Sequence, residues 1–221
     1  VCAFPLAGIV IAMAPALLLY LLSRIGDTMV ATLIALSLLT LITGALHEDG
    51  LADAADGLGG GKTREQALLI MKDSRTGSYG VVALILSFGL RAASLAALAR
   101  VDASLAGVSL LASAAFSRGA MVWHWASLPP ARTSGVAASA GEPLPRARTV
   151  AALTATLFCL LLVAPHASLH AAVLVIAAAA CATLLFTRIV RRKLNGHTGD
   201  TIGATQQITE IVMLATLALA A

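Results

Sequence analysis

The sequence has few charged residues for its length. Only 12% of its 221 residues are charged, against roughly 25% in ordinary soluble domains. Fifteen basic and 11 acidic side chains cannot cover the surface of a soluble protein of this size. This scarcity excludes a compact soluble enzyme. The hydrophobic share of 59% excludes a disordered chain.

Cysteine is also scarce. Cys2, Cys159 and Cys181 are scattered in apolar stretches, without Cys-x-x-Cys or Cys/His spacing. A disulfide framework and a zinc site are therefore excluded, and we interpret all three as small buried hydrophobes. The net charge of +4 could by itself indicate nucleic acid or an anionic lipid surface. In a chain this apolar it indicates membrane topology instead, and we expect no nucleic-acid partner.

Long apolar runs are what the sequence has in abundance. A membrane-spanning helix needs about 20 mostly apolar residues. The runs are continuous, not alternating, which favours helices over β-barrel strands. The sequence predicts an all-α, polytopic membrane helix bundle of about seven transmembrane helices, forming a single membrane-embedded domain over residues 1–221. The predicted spans are Phe4–Leu22, Thr28–Leu46, Tyr79–Leu98, Ala103–Trp125, Val150–Ala164, Leu169–Thr187 and Gly203–Ala221.

The start of the chain leads to a further expectation. The first residue is Val1 and the chain is apolar from the start, so we expect a native N-terminal piece to precede it. There is no positive n-region or small-residue cleavage site, so no signal peptide is predicted.

Trp123, Trp125 and Tyr79 are typical of anchors at a membrane interface.

Basic residues concentrate on one side of the predicted bundle. The long connections are 47–78, 118–149 and 188–202, and seven spans would place all three on the same face. They hold twelve of the 15 Lys and Arg residues, whereas only Arg24 and Arg100 fall on the opposite face. The positive-inside rule then places the long connections in the cytoplasm. We expect a multi-pass protein of the cytoplasmic (inner) membrane with its active-site loops on the cytoplasmic side.

An acidic cluster follows the second span. It contains Glu48, Asp49, Asp53 and Asp56, and the three Asp residues share one face if the segment is helical. Stacked like charges repel each other, so a cation is expected there. Hard oxygen ligands favour Mg²⁺. The alternative is a solvated acidic loop. The neighbouring His47 could be a general base, a metal ligand or a hydrogen-bonding support for the ligands.

Glycines follow the acids at 57 and 59–61. They do not form a P-loop, because that pattern requires glycine where Asp56 stands. Gly59 and Gly60 could allow a phosphate to approach the backbone closely. A helix C-cap followed by a linker is the equally simple alternative.

A basic segment leads into the third span. Lys72 and Arg75 could bind phosphate oxygens together with Ser74, and Asp73 could join a metal or orient Arg75. The alternative is a positive-inside anchor without a catalytic role.

Further polar residues stand before and within the spans. Asp200 could be another metal ligand and Thr198 a phosphate donor, although both suit a plain helix N-cap. Arg91 and Arg118 lie at membrane depth, where they could pair with acids such as Glu210 or line a substrate cleft.

Three segments carry a family resemblance. Residues 47–80, HEDGLADAADGLGGGKTREQALLIMKDSRTGSYG, resemble the signature stretch of the cobalamin synthase family, the adenosylcobinamide-GDP ribazoletransferases. Residues 195–205, NGHTGDTIGAT, resemble its second signature, and residues 4–12, FPLAGIVIA, its first span. Together these segments reach across nearly the whole chain in the family's order.

The resemblance implies an integral inner-membrane enzyme that depends on Mg²⁺. Such an enzyme joins adenosylcobinamide-GDP to α-ribazole or its 5′-phosphate, giving adenosylcobalamin or its 5′-phosphate and releasing GMP. It also implies a metal–diphosphate site. That site would contain Glu48, Asp49, Asp53 and Asp56, surrounded by Lys72, Asp73, Arg75 and Asp200.

Three other functions match these residues less well. A CDP-alcohol phosphotransferase would carry Ala-Arg shortly after Asp56-Gly57, where this chain has Leu-Gly-Gly-Gly. A membrane prenyltransferase would need a second Asp-rich box, where only Asp200 stands. A cation transporter would place acids near the bilayer midplane, whereas most acids here belong to one face.

Overall fold

A computed structural model describes residues 1–132, 141 and 143–221. The described chain is almost entirely helical, with one isolated β-bridge between Pro130 and His197. The all-α prediction is therefore confirmed. The helices are α1 Phe4–Ser23, α2 Thr28–Thr43, α3 Leu46–Gly60, α4 Arg64–Ile70, α5 Ser78–Val101, α6 Ala103–Trp125, α7 Pro145–Val163, α8 Leu169–Leu194 and α9 Gly199–Ala220.

Six of the described helices are long and apolar enough to cross a membrane: α1, α5, α6, α7, α8 and α9. Helices α2 and α3 pass the same test only as a pair, which is bent by 88°. The prediction of a polytopic bundle with about seven spans is confirmed as six, or seven if this pair forms one broken span.

Two left-handed residues make the bend between α2 and α3. Gly44 ends α2 with φ 63°, a conformation that suits glycine at a helix C-terminus. Ala45 follows with φ 58°, which costs a residue with a Cβ roughly 1–2 kcal/mol. The predicted span Thr28–Leu46 was therefore too long at its end, because the chain turns after Thr43.

The predicted long connections are mostly helical. Residues 47–78 contain α3 and α4. Helix α6 continues to Trp125, and α8 continues to Leu194, which leaves only residues 195–198 before α9. Hydropathy does not predict these helical segments, because a polar helix can pack against a bundle without the long apolar run that a hydropathy scan detects. Within the predicted connection 118–149, residues 133–140 and 142 lie outside the described residues.

Small residues allow the spans to pack closely. A Cβ on Gly8 of α1 would lie 2.9 Å from the Ala115 Cα of α6, and one on Gly119 of α6 would lie 2.6 Å from the Ala155 Cβ of α7. Close backbone contact of this kind is how membrane helices associate in lipid. Helix α6 is the most buried of the six spans and forms the centre of the bundle.

The acid-bearing helix α3 crosses the start of α9 at two glycines. A Cβ on Gly50 would stand 3.0 Å from the Asp200 carbonyl oxygen and 3.3 Å from the Gly203 Cα. A Cβ on Gly203 would stand 3.5 Å from the His47 Cα. This contact places the acids of α3 beside the first turn of α9.

Candidate active site

The structure gathers three of the predicted acids from two helices. Asp49 and Asp53 are one turn apart on α3, and Asp200 lies in the first turn of α9. Asp53 interacts electrostatically with Asp49, Asp200 and Asp56, and with the opposing charge of Arg132. These carboxylates form a concentration of negative charge, which a cation would stabilise.

Asp200 is held in place by the start of its helix. Thr198 is the N-cap of α9, and its hydroxyl accepts a hydrogen bond from the Thr201 amide at 3.2 Å. The Thr198 amide in turn donates to the Thr201 hydroxyl at 3.0 Å. The structure thus uses the Thr198 hydroxyl as a cap. The phosphate-binding role predicted for it stays a prediction.

One oxygen of Asp200 lacks a partner. Asp200 Oδ2 is buried and accepts no hydrogen bond from the described residues. The closest cation to it is the Arg132 guanidinium, whose Nη1 lies 3.8 Å away. Sequence reasoning counted Arg132 only as a loop charge, because no local pattern links it to an acid 68 positions later.

Asp56 is used differently from Asp49 and Asp53. Its carboxylate is buried and accepts hydrogen bonds from the Gly77 amide at 2.7 Å and the Gly80 amide at 2.9 Å. A Cβ on Gly77 would lie 2.6 Å from Asp56 Oδ1, so this approach requires glycine. Asp56 of α3 therefore binds the backbone at the start of α5. This structural role was not predicted from the sequence.

Glu48 faces the interior of the bundle. Its Oε1 accepts hydrogen bonds from Arg91 Nη2 at 3.2 Å and from Gln207 Nε2 at 3.1 Å. Arg91 Nη1 donates to Glu210 Oε1 at 3.0 Å. The sequence predicted Glu48 beside the other acids, whereas the structure pairs it with an arginine of α5.

The interior network extends along α9. Gln206 Nε2 donates to Glu210 Oε2 at 2.6 Å and to the Ser117 hydroxyl at 3.2 Å. The Ser87 hydroxyl donates to Gln207 Oε1 at 2.8 Å. Such a network satisfies most of its polar groups at membrane depth, where water is scarce. Among the described residues, Glu48 Oε2 and Arg91 Nε are the atoms of the network without a hydrogen bond.

Arg118 belongs to the same interior region. It is buried in α6, and its Nη1 donates to the Ala114 carbonyl oxygen at 3.0 Å. Its charge interacts with those of Glu210 and Glu48. Two buried arginines thus face two buried glutamates. The sequence predicted either pairing with acids or lining a substrate cleft for Arg118, and its contacts match the internal pairing.

The predicted phosphate-binding segment lies between α4 and α5. Arg75 and Asp73 form an exposed ion pair with Nη2 and Oδ2 2.6 Å apart, which lowers the pKa of Asp73 to about 2. Lys72 and Ser74 are exposed. The Asp56–Gly77 hydrogen bond holds the end of this segment close to α3.

Gly59 and Gly60 are the last two residues of α3, and both are exposed. Gly61 caps the helix, and its amide donates to the Gly57 carbonyl oxygen at 3.0 Å. A Cβ on Gly59 would lie 2.8 Å from the Tyr79 ring. The local structure therefore matches the C-cap alternative.

A cavity of about 420 Å³ opens beside the gathered acids. It lies among α1, α3, α6 and α9. Its lining includes Phe4, His47, Asp49, Met121, Trp125 and Asp200. Trp125 is buried, so the structure contradicts its predicted role as an interfacial anchor: α6 faces the bundle on that side.

No preformed metal cage is present in the described part of the chain. No group of three or more His, Cys, Asp or Glu side chains among these residues is arranged to hold a metal ion alone. Any ion bound by these acids would need further ligands from water or a bound substrate.

The fold and this site define a multi-pass membrane protein with an acidic pocket formed by α3 and α9. A family model described as cobalamin-5-phosphate synthase matches residues 1–218. The chain belongs to this family, so the predicted resemblance is confirmed.

Similar proteins carry one name. A Rhizobium johnstonii protein is 56% identical over 220 residues, covering 99% of this chain and 85% of its own length. Rhizobium etli and Sinorhizobium medicae proteins are 56% and 54% identical, and each match covers 99% of this chain and 85% and 84% of the relatives. All three are named adenosylcobinamide-GDP ribazoletransferase. No solved structure matches this chain.

Proposed function

We propose that this chain is a transferase that joins adenosylcobinamide-GDP to α-ribazole or its 5′-phosphate. The products are adenosylcobalamin or its 5′-phosphate, and GMP. Family membership over residues 1–218 supports the reaction. The observation that carries the site is the convergence of Asp49 and Asp53 of α3 with Asp200 of α9.

The reaction is a phosphoryl-type substitution. A ribose hydroxyl oxygen of α-ribazole forms a bond to the corrinoid-side phosphorus of the diphosphate, and the bond from that phosphorus to the bridging oxygen breaks. GMP leaves with the electron pair, and the hydroxyl proton passes to a base. Negative charge accumulates on the phosphate oxygens, so catalysis depends on neutralising it and on aligning the reactants.

Mg²⁺ suits the acids that remain available. Asp49, Asp53 and Asp200 supply hard oxygen donors, and Asp200 Oδ2 is a buried acceptor without a hydrogen bond. Mg²⁺ usually binds through one or two carboxylates and completes its coordination with water and substrate phosphates. When bound, it would neutralise charge on the diphosphate. We assign Asp56 to a structural role, because the Gly77 and Gly80 amides bind both of its oxygens. Arg91 and Gln207 bind only Oε1 of Glu48, and its buried Oε2 has no hydrogen bond from the described residues.

The chain also offers groups for the proton and the phosphates. His47 is buried and lines the cavity beside Asp49 and Asp200, so it can accept the proton of the ribose hydroxyl. Lys72 and Ser74 are exposed near the end of α3 and can bind diphosphate oxygens. Phosphate approach to Gly59 and Gly60 is compatible with their exposure.

A cytoplasmic-membrane location fits the charge distribution. Most basic residues lie at the end of the bundle that carries α3 and α4, as the positive-inside rule requires of a cytoplasmic face. The residues that line the acidic pocket lie at helix ends on this same side, since Phe4 begins α1, Trp125 ends α6 and Asp200 is in the first turn of α9. A transport function is less well supported, since the buried acids Glu48 and Glu210 are paired with Arg91.

One assay tests the proposal. The purified protein in detergent is incubated with adenosylcobinamide-GDP, α-ribazole and Mg²⁺, and products are identified by mass spectrometry. We expect the joined corrinoid and GMP in equal amounts. Absence of both from folded protein would overturn the proposed function.

A further inference from the structure

The cavity beside the acids is lined by aromatic rings on one part of its surface and by carboxylates on another. Phe4 and Trp125 line it with neighbouring aromatic rings, whose centroids are 6.5 Å apart. Asp49 and Asp200 line it with carboxylates, and His47 lies beside them. The lining is apolar in most of its area, and the volume of about 420 Å³ falls within the range of about 300–1000 Å³ typical of small-molecule sites.

Two buried polar atoms around this cavity lack partners. The Trp125 side chain is 8% exposed, and its Nε1–H makes no hydrogen bond with the described residues. An indole N–H is a donor only, and a buried one normally finds an acceptor. Asp200 Oδ2, the other such atom, is the oxygen already proposed to bind Mg²⁺, so the Trp125 N–H is the group that the ligand of this cavity has to satisfy. A fitting ligand would therefore carry a hydrogen-bond acceptor on a flat apolar body.

We infer that this cavity is the subsite for α-ribazole, an inference that rests on the proposed function. The bicyclic aromatic base packs against Phe4 and Trp125, and its free ring nitrogen accepts the Trp125 N–H. The ribose hydroxyls face His47. This arrangement places the attacking hydroxyl beside Asp49 and Asp200, the acids that are proposed to bind Mg²⁺.

The other parts of the substrates fit this cavity less well. Guanine has several donors and acceptors along its edges, and apolar walls would leave them unpaired at a cost. The corrin ring with its amide side chains is much larger than the cavity. An apolar base with a single acceptor nitrogen matches both the aromatic wall and the lone N–H donor.

Steady-state kinetics of the full chain with Trp125→Ala test the inference. Stacking of a base on an aromatic side chain is worth about 1–3 kcal/mol, so the KM for α-ribazole should rise about tenfold. The KM for adenosylcobinamide-GDP and the melting temperature should stay unchanged. Trp125→Phe keeps an aromatic ring without the N–H, so its KM for α-ribazole should fall between those of the native chain and Trp125→Ala.

Trp123→Ala is the matched control on the same helix. Trp123 stacks with the Arg148 guanidinium, 5.9 Å from the ring centroid, and lines a different cavity. Its loss should leave both KM values unchanged.

A second variant covers the case in which Trp125→Ala does not fold. Met121→Trp fills the cavity with a larger ring and should weaken α-ribazole binding measured by equilibrium dialysis without the other substrate. The inference is overturned if both variants retain native α-ribazole affinity, or if only the KM for adenosylcobinamide-GDP rises. A native chain that forms no joined product would instead contradict the proposed function itself.

Discussion

Arg91 Nη1 lies 3.0 Å from Glu210 Oε1 in the interior of the bundle, where the two side chains are 1% and 0% exposed. The other arm of the same guanidinium holds Glu48 at the start of α3. Arg91 thus connects α5 with both helices that form the acidic pocket. The pair stabilises the position of α3 against α9 without contacting the pocket acids.

Removing the Arg91 charge should destabilise the protein strongly. Arg91→Met leaves Glu48 and Glu210 buried without their cation, and breaking a buried ion pair costs about 3–5 kcal/mol. Unfolding in detergent measures the loss. Arg100→Met, at the exposed end of the same helix, is the control and should change stability little. A native melting temperature for Arg91→Met would show that the network does not stabilise the bundle.

Asp53→Asn should abolish turnover and leave the protein folded. Asp53 lies among like charges, so neutralising it relieves repulsion and should not lower the melting temperature. GMP release is the readout. Glu65→Gln, at an exposed acid of α4, should retain activity. Native GMP release by Asp53→Asn would remove this residue from the metal site.

Asp56→Asn should instead act on stability. The amide that replaces the carboxylate cannot accept both backbone hydrogen bonds equally well, and hydrogen bonds to charged groups contribute about 1.5–3 kcal/mol each. We expect a lower melting temperature and faster proteolysis around residues 71–80. An Asp56→Asn protein with native stability but no activity would return Asp56 to the metal site.

Chelation should stop the reaction, and Mg²⁺ should stabilise the folded protein. A cation that binds only the folded state raises the melting temperature with its concentration. Asp200→Asn should reduce that rise, which separates metal binding from turnover. Full activity in excess chelator would contradict a metal-dependent mechanism.

Cysteine labelling in intact cells can establish the topology. Lys62→Cys and Arg100→Cys are made in a chain whose native cysteines are replaced. An impermeant reagent should label residue 100 and leave residue 62 protected. The reverse labelling pattern would show that the orientation is inverted.

The spans were predictable because the bilayer itself sets their length. Runs such as Tyr79–Leu98 and Ala103–Trp125 correspond to α5 and α6 within a few residues. Helix α3 falls within the predicted connection 47–78, because its four acids and several glycines give it a low hydropathy. Its glycines allow close packing on α9, which compensates for their weak helix propensity.

The acidic pocket was predictable only in part. The spacing of Asp49 and Asp53 predicted their shared face, and Asp200 was identified as a further candidate. The separation of roles among the other acids was not visible. Asp56 is bound by backbone 21 and 24 residues away, and Glu48 by an arginine 43 residues away. Local spacing carries no information about such partners.

The 88° turn at Gly44 and Ala45 sets the depth of the carboxylates. Continued straight, the 15 residues of α3 would reach roughly 22 Å farther into the water. Because α3 instead runs nearly perpendicular to α2, Asp49 and Asp53 stay level with the end of α2. A reactant arriving from the adjoining aqueous side and one resting against the lipid headgroups would then meet the same carboxylates at one height.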